Sequence, residues 1–376
     1  MAIRFRAPLV AAALAPVALA AACSSGSPTT TPSSSASSSA SAAAVQTAPA
    51  AAATTLSETG SSLVFPLFGL WAPAYHTQYS QVTINTASSS SGVGISSATA
   101  GTVDIGTSDA YLSSSEMAAT PTLENIPLAV AALEVSYNVP GLSTSTNLKL
   151  NGSVLAKIFS GKITSWNDPA ITALNSGVTL PSTKIVLVHR ADSSGSTFLF
   201  TSYLNAQDPT DWSSSLIGTT VAWPKQAGEV GATGSGGIVT ALKTTPGAIS
   251  YVGVSYESKI TAAKNLGQAS LGNAAGSFVL PTADTINAAL AGFTSTPANE
   301  AISLINGSGA QAYPIINYEY AIVNTTQSSA AKAQDIQAFL NWTITGGTSQ
   351  LSQVNFQPLP ASVVTLSDNQ IAKIKG

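Results

Sequence analysis

Charge is scarce in this chain. Only 8% of its 376 residues are Asp, Glu, Lys or Arg, and 14 basic against 17 acidic groups leave a net charge of −3. Such a surface has no basic footprint for a polyanion, which excludes nucleic acid as a partner. There is a single cysteine, Cys23, so no internal disulfide can form. With only two histidines, His76 and His189, the chain shows no clustered Cys/His spacing for a metal, and no metal or other cofactor is expected. Catalytic signatures are missing as well. There is no Gly-x-Ser-x-Gly elbow, and Gly161-Lys162 runs into Ile163 where a phosphate-binding loop of the Walker type needs Ser or Thr. His189 beside Arg190 offers a base only in principle, and a structural histidine at a strand end is the plainer reading. An enzyme is not expected.

In place of charge the chain uses Ser, Thr, Ala and Gly, which give a polar but uncharged surface of the kind that suits an extracytoplasmic protein. Residues 1–22 read as an export signal: Arg4 and Arg6 supply the positive start, and the Ala-rich run from Leu9 to Leu19 is too short for a permanent membrane span. Cys23 ends that run and has two readings. One is the acylated cysteine of a bacterial lipoprotein, although such proteins usually carry Leu three residues before the cysteine, where this chain has Ala20 and its leucine one place earlier. The other is ordinary cleavage after an alanine, giving a freely secreted protein. Residues 23–55 are almost entirely Ser, Thr, Ala and Pro after the cysteine, without charge, and cannot bury enough surface to fold. They read as a flexible tether, spanning roughly 30 Å on average.

From Leu56 onward β-branched or apolar runs alternate with Ala-rich segments of helical spacing, the pattern of an α/β protein with mainly parallel sheets. The remaining length allows two lobes. Strands are predicted at Val82–Thr86, Val103–Gly106, Ile185–His189 and Ala248–Val252, and helices at Leu67–Tyr79, Gly94–Ala100, Ser194–Leu204 and Gly237–Leu242. Two longer strand-like stretches, Ile126–Val139 and Ile315–Val323, are candidates for chains crossing between lobes. Trp71 and Trp166 are expected in cores rather than on a sugar-binding face.

The richest segment is His189-Arg190-Ala191-Asp192-Ser193-Ser194-Gly195-Ser196-Thr197, running into Phe198-Leu199-Phe200. It places a guanidinium and several hydroxyls on the opening turn of a helix, where unpaired N–H groups and the positive end of the dipole favour an anion. A structural pairing of Arg190 with Asp192 is the bland alternative. Three further segments have the same character: Thr59-Gly60-Ser61-Ser62-Leu63-Val64-Phe65-Pro66, Ser88-Ser89-Ser90-Ser91-Gly92-Val93-Gly94, and Gly106-Thr107-Ser108-Asp109-Ala110, which ends a strand with an acid. Alone, each reads more simply as a helix cap or loop. Together they fall at the carboxyl ends of strands, where open α/β sheets collect ligands.

In this order and spacing the segments resemble the PstS family, the substrate-binding proteins of bacterial high-affinity phosphate ABC transporters, in its actinobacterial lipoprotein form. Also similar are Phe159-Ser160-Gly161-Lys162-Ile163-Thr164-Ser165-Trp166-Asn167-Asp168-Pro169, Tyr313-Pro314-Ile315-Ile316-Asn317-Tyr318-Glu319-Tyr320 and Phe356-Gln357-Pro358-Leu359-Pro360. The resemblance implies a two-lobed, hinged periplasmic-binding-protein fold of type II, with the ligand in the interlobe cleft. Lobe I would comprise residues 56–132 and 315–376, and lobe II residues 133–314. Carried over, the phosphate-binding residues are Ser61, Ser62, Leu63, Ser91, Asp109, Arg190, Ser194, Gly195 and Ser196. Many members have Thr where Val64 stands, and some have Thr or Asp where Ser196 stands. The implied partners are inorganic phosphate, the permease subunits of an ABC importer, and the outer face of the cell membrane through a lipid on Cys23, with the protein a monomer. Phosphate near neutral pH still carries a proton that Asp109 can accept, whereas sulfate has none to give. A binding protein for sulfate or molybdate is the nearest alternative; a surface adhesin or a phosphatase-like enzyme is more remote.

Overall fold

The computed structural model describes residues 45–224 and 228–376. The segment read as an export signal and Cys23 lie outside the described residues, and among those described no helix is long and apolar enough to cross a membrane. The strands are β1 (Thr54–Gly60), β2 (Val82–Ser88), β3 (Ile105–Ser108), β4 (Leu123–Tyr137), β5 (Lys149–Leu150), β6 (Val186–Arg190), β7 (Val230–Ala232), β8 (Ala248–Gly253), β9 (Gly267–Gln268), β10 (Ser270–Gly272), β11 (Phe278–Val279) and β12 (Ile316–Asn324). The main sheet runs β2-β1-β3-β12-β4-β8-β6-β7, with β9 also on β4, and β11-β10-β5 form a small second sheet.

Two βαβ halves meet in this sheet. In the first, β1 pairs in parallel with β2 and β3, and the helices Phe65–Gln78 and Ser91–Ala100 make the crossovers. In the second, β6 pairs in parallel with β7 and β8, with the helices Gly195–Gln207 and Gly234–Thr244 between them in sequence. The centre departs from the expected parallel sheet. There β12 is antiparallel to both β3 and β4, and β4 is antiparallel to β8. The chain leaves the first half along β4 and returns along β12, so these two strands must run in opposite directions.

β4 changes partner midway. Leu123 to Ala132 pair with β12, and Leu133 to Tyr137 pair with β8. Its run Ile126-Pro127-Leu128-Ala129-Val130-Ala131-Ala132-Leu133 is buried on both faces, which is why the sequence reads there as continuous apolar residues without alternation. Trp71 and Trp166 are fully buried, and their indole N–H groups donate to Gly347 O (2.9 Å) and Gly247 O (3.0 Å).

The tether expectation needs correction over residues 45–55, which are held against the fold: Gln46 N–H donates to Gln337 Oε1 (2.9 Å) and Ala50 N–H to Asp335 Oδ1 (2.8 Å). Both acceptors are buried on the helix Ala330–Ile344. Composition described these residues as unable to make a core of their own, but their backbone is held by side chains almost 300 positions away, a pairing invisible to local reading.

Several buried carboxyls hold their protons more tightly than a free carboxyl does. Burial pushes Glu58 up to about 7 and Glu134 and Glu300 up to about 8, against the hydrogen bonds that each accepts. A carboxyl that binds its proton more tightly folded than unfolded adds stability that is fully present below the unfolded value of 4.5. That stability is lost as the pH rises through the folded values near 7 and 8. Thermal unfolding should accordingly fall by about 5 °C or more between mildly acidic and mildly alkaline buffer. Calorimetric scans of Glu134→Gln should show a flatter dependence than wild type.

Candidate anion-binding site

The first wall starts where β1 ends. Gly60 has φ +148°, and a Cβ there would overlap the Thr107 backbone, so the turn out of the strand needs glycine. Ser61 then donates its N–H to Thr107 O (3.0 Å), while its hydroxyl donates to Asp109 and accepts the N–H groups of Leu63 (3.0 Å) and Val64 (3.2 Å). Pro66 sits in the opening turn of the helix that follows. At the next strand end, Ser90 caps the helix Ser91–Ala100, and the Ser91 hydroxyl accepts the Asp109 N–H at 3.3 Å. Asp109 stands immediately past β3 and is 2% exposed.

The second wall is the end of β6. Arg190 is its last residue, and Arg190 Nε donates to Asp192 Oδ1 at 2.6 Å while Nη2 donates to Oδ2. Burial acts against the Arg190 charge, but the Asp192 hydrogen bonds and then the charges of Asp192 and Asp109 outweigh it and hold the guanidinium above its ordinary range. Asp192 moves the opposite way: burial raises it, and Arg190 brings it below the usual carboxylate range. Ser194 caps the helix Gly195–Gln207 by accepting the Thr197 N–H at 3.3 Å. The first-turn N–H groups of Gly195 and Ser196 have no partner within the helix. Tyr251 supports this wall, its hydroxyl accepting the Arg190 N–H (3.3 Å) and bonding Thr197 Oγ1 (2.6 Å).

The two walls touch. Ser196 Oγ donates to Asp109 Oδ2 at 2.6 Å, and Gly92 N–H donates to Ser193 O at 3.0 Å. Gly195 lies so close that a Cβ would come within 2.7 Å of Ala110 N and Ser91 Oγ. Ser61, Ser91, Asp109, Ser194, Gly195 and Ser196 are thus brought into one buried cluster, with Arg190 acting on Asp109 electrostatically. Leu63 enters through its N–H on Ser61. Ser62 faces a different partner: its hydroxyl accepts the Ser235 N–H (2.9 Å) and bonds Ser235 Oγ (3.0 Å) at the start of the helix Gly234–Thr244. A cavity of about 880 Å³ opens beside the cluster, with Gly92, Ala110 and Ser193 in its lining.

Sequence reasoning passed over Ser235. Its signal was present in Thr233-Gly234-Ser235-Gly236-Gly237, a hydroxyl-and-glycine turn of the kind singled out elsewhere. The Arg190–Asp192 pairing, weighed as the bland reading, is present, and it tempers the positive charge of the second wall. What remains for an anion is a shell of hydroxyl and N–H dipoles around a paired guanidinium, with an acid opposite. His189 stacks on Trp223 at 5.1 Å and its Nδ1 lies 3.1 Å from Arg190 O, in keeping with the structural reading of that side chain.

Comparisons with known proteins bear on this arrangement. A family model described as a PBP superfamily domain matches residues 45–346. The chain is 33% identical over 311 residues to the phosphate-binding protein PstS of Xylella fastidiosa strain 9a5c, covering 82% of each chain. This chain belongs to the PstS family. Another PstS relative, PstS3 of Mycobacterium bovis BCG, is 35% identical over 289 residues, covering 74% of this chain and 75% of its own. Among solved structures, a high-affinity periplasmic phosphate-binding protein (PfluDING) bound with phosphate aligns with a TM-score of 0.68 at 21% identity, over 83% of this chain and 92% of that one. The phosphate-binding protein of Stenotrophomonas maltophilia aligns over the same shares with a TM-score of 0.65 at 21% identity. These neighbours show the two-lobed periplasmic-binding-protein fold.

Proposed function

We propose that this chain captures inorganic phosphate outside the cytoplasm and delivers it to the permease of an ABC importer. The observation that carries the reading is Asp109, a buried acid set among hydroxyls from both halves, with Ser61 on one side and Ser196 on the other. An acid inside an anion site has a use only if the anion brings a proton, which phosphate does and sulfate or molybdate near neutral pH does not. In this reading Ser61, Ser62, Leu63 and Ser91 serve the anion from residues 56–132, and Arg190, Ser194, Gly195 and Ser196 from residues 133–314. Residues 315–376 complete the first lobe. A lipid on Cys23 would hold the monomer at the outer face of the membrane. The relatives are named as binding proteins, and no catalytic step is assigned.

Calorimetric titration with phosphate and with sulfate tests the proposal, and tight sulfate binding without phosphate binding would overturn it. The closeness of the two walls supplies a second test. Gly195→Ala adds a methyl where the halves meet, so it should weaken phosphate binding by about tenfold or more. Because Gly195 opens a helix with ordinary backbone angles, the fold should survive. Small-angle scattering should then show less compaction with phosphate than in wild type.

A further inference from the structure

Behind Asp109 lies a second acid that the site as described does not use. Glu319 on β12 is 0% exposed. The β12–β3 ladder pairs Tyr320 with Ser108, which sets Glu319 across from the point where Asp109 leaves β3. The β4 ladder is irregular between Glu319 and Tyr320, and such bulges re-aim side chains. Asn317 ties the two acids together, its Nδ2 donating to Glu319 Oε1 (2.9 Å) and lying 3.3 Å from Asp109 O. Glu319 Oε2 meets no partner of ordinary hydrogen-bond geometry.

We propose that Glu319 is a positioning residue for phosphate selection: it stays a neutral acid, turns its one hydroxyl hydrogen toward Asp109, and so keeps Asp109 a charged acceptor for the phosphate proton. Two carboxylates in one buried site cannot both ionise cheaply, so the pair holds a single proton. Burial, and after it the Asp109 charge, push Glu319 well above the carboxylate range, in accord with the proton residing there. Among the described residues no cation is set against Glu319 to change this. β4 presents Ala129 opposite Glu319, the helix Ser91–Ala100 carries no titratable side chain, and the helix Ala283–Leu290 has only the exposed Asp284. Arg190 acts on Asp109 from the far wall. When alkaline solvent removes the Glu319 proton, a second negative charge meets the bound anion, and phosphate is released.

The inference rests on the phosphate reading. Its test is a titration series with inorganic phosphate and sulfate across neutral and alkaline pH on wild type, Glu319→Gln and Glu319→Leu. Wild type should lose affinity at the alkaline end by up to about tenfold per pH unit, as release of one proton requires. Glu319→Gln keeps a hydrogen donor but cannot ionise, so this limb should flatten. Glu319→Leu removes the donor and should lower the phosphate-over-sulfate ratio about tenfold further than Glu319→Gln. The infrared difference spectrum of wild type minus Glu319→Gln should show a protonated carboxylic C=O band. Superimposable pH profiles for wild type and Glu319→Gln, or no carboxylic band in the infrared difference spectrum, would overturn the role of Glu319 while leaving the phosphate reading intact. Failure of wild type to bind phosphate at neutral pH would overturn both.

Discussion

Arg190→Ala is expected to weaken phosphate binding by roughly a hundred- to a thousandfold in calorimetric titration. The size follows from what the substitution leaves behind. Arg190 is 5% exposed and joined to Asp192 by paired hydrogen bonds, so its removal strands a half-buried carboxylate facing the anion, with Asp109 already on the other wall. Breaking a buried ion pair by removing one partner costs about 3–5 kcal/mol because the surviving charge loses its compensation. Arg190→Lys should recover only part of the loss, since a point charge cannot bond both Asp192 oxygens and still face the ligand. A loss of less than tenfold on Arg190→Ala would mean that the hydroxyl and N–H dipoles hold phosphate by themselves.

Asp109→Asn should act on selectivity more than on affinity. The amide oxygen can still accept from Ser61 or Ser196, so phosphate binding should fall by about tenfold. Sulfate, no longer opposed by a buried carboxylate, should bind better, and the phosphate-over-sulfate ratio should shrink by about a hundredfold or more. Sites that depend on a ligand hydrogen discriminate by roughly 10⁴–10⁵, so a change of that order lies within reach of one residue. Paired titrations of wild type and variant with both anions give the ratio directly, and an unchanged ratio would remove Asp109 from the selection of the ligand.

These two residues were legible because charge is so rare in the chain: an arginine at a strand end and an aspartate at another stand out where hydroxyls fill every turn. The elements were legible through periodicity, with β8 and β2 found within two residues of their ends. Three of the four helix starts were placed late. Leu67, Gly94 and Gly237 mark where apolar spacing begins, whereas the helices open at Phe65, Ser91 and Gly234, because the first turn is made by proline, serine and glycine that carry no periodic signal. The strand expected from Val103 starts at Ile105. Asp104 is drawn aside by the Ser57 N–H (2.7 Å) and Lys332 Nζ (3.2 Å), partners distant in sequence. Ser235 and Glu319 escaped for a related reason, since their importance depends on which strand ends up beside which.

The place of β12 in the sheet has a consequence for how the molecule comes into being. It is the last strand of the chain, yet it lies between β3 and β4, two strands made some 200 residues before it. Until residues 316–324 emerge, those neighbours present bare edges and the main sheet cannot be completed. Pairings so distant along the chain are slow to form. For a polypeptide whose opening residues read as an export signal, a sheet that closes last is expected to keep the nascent chain incompletely folded for longer, and an incompletely folded chain can pass through a membrane pore.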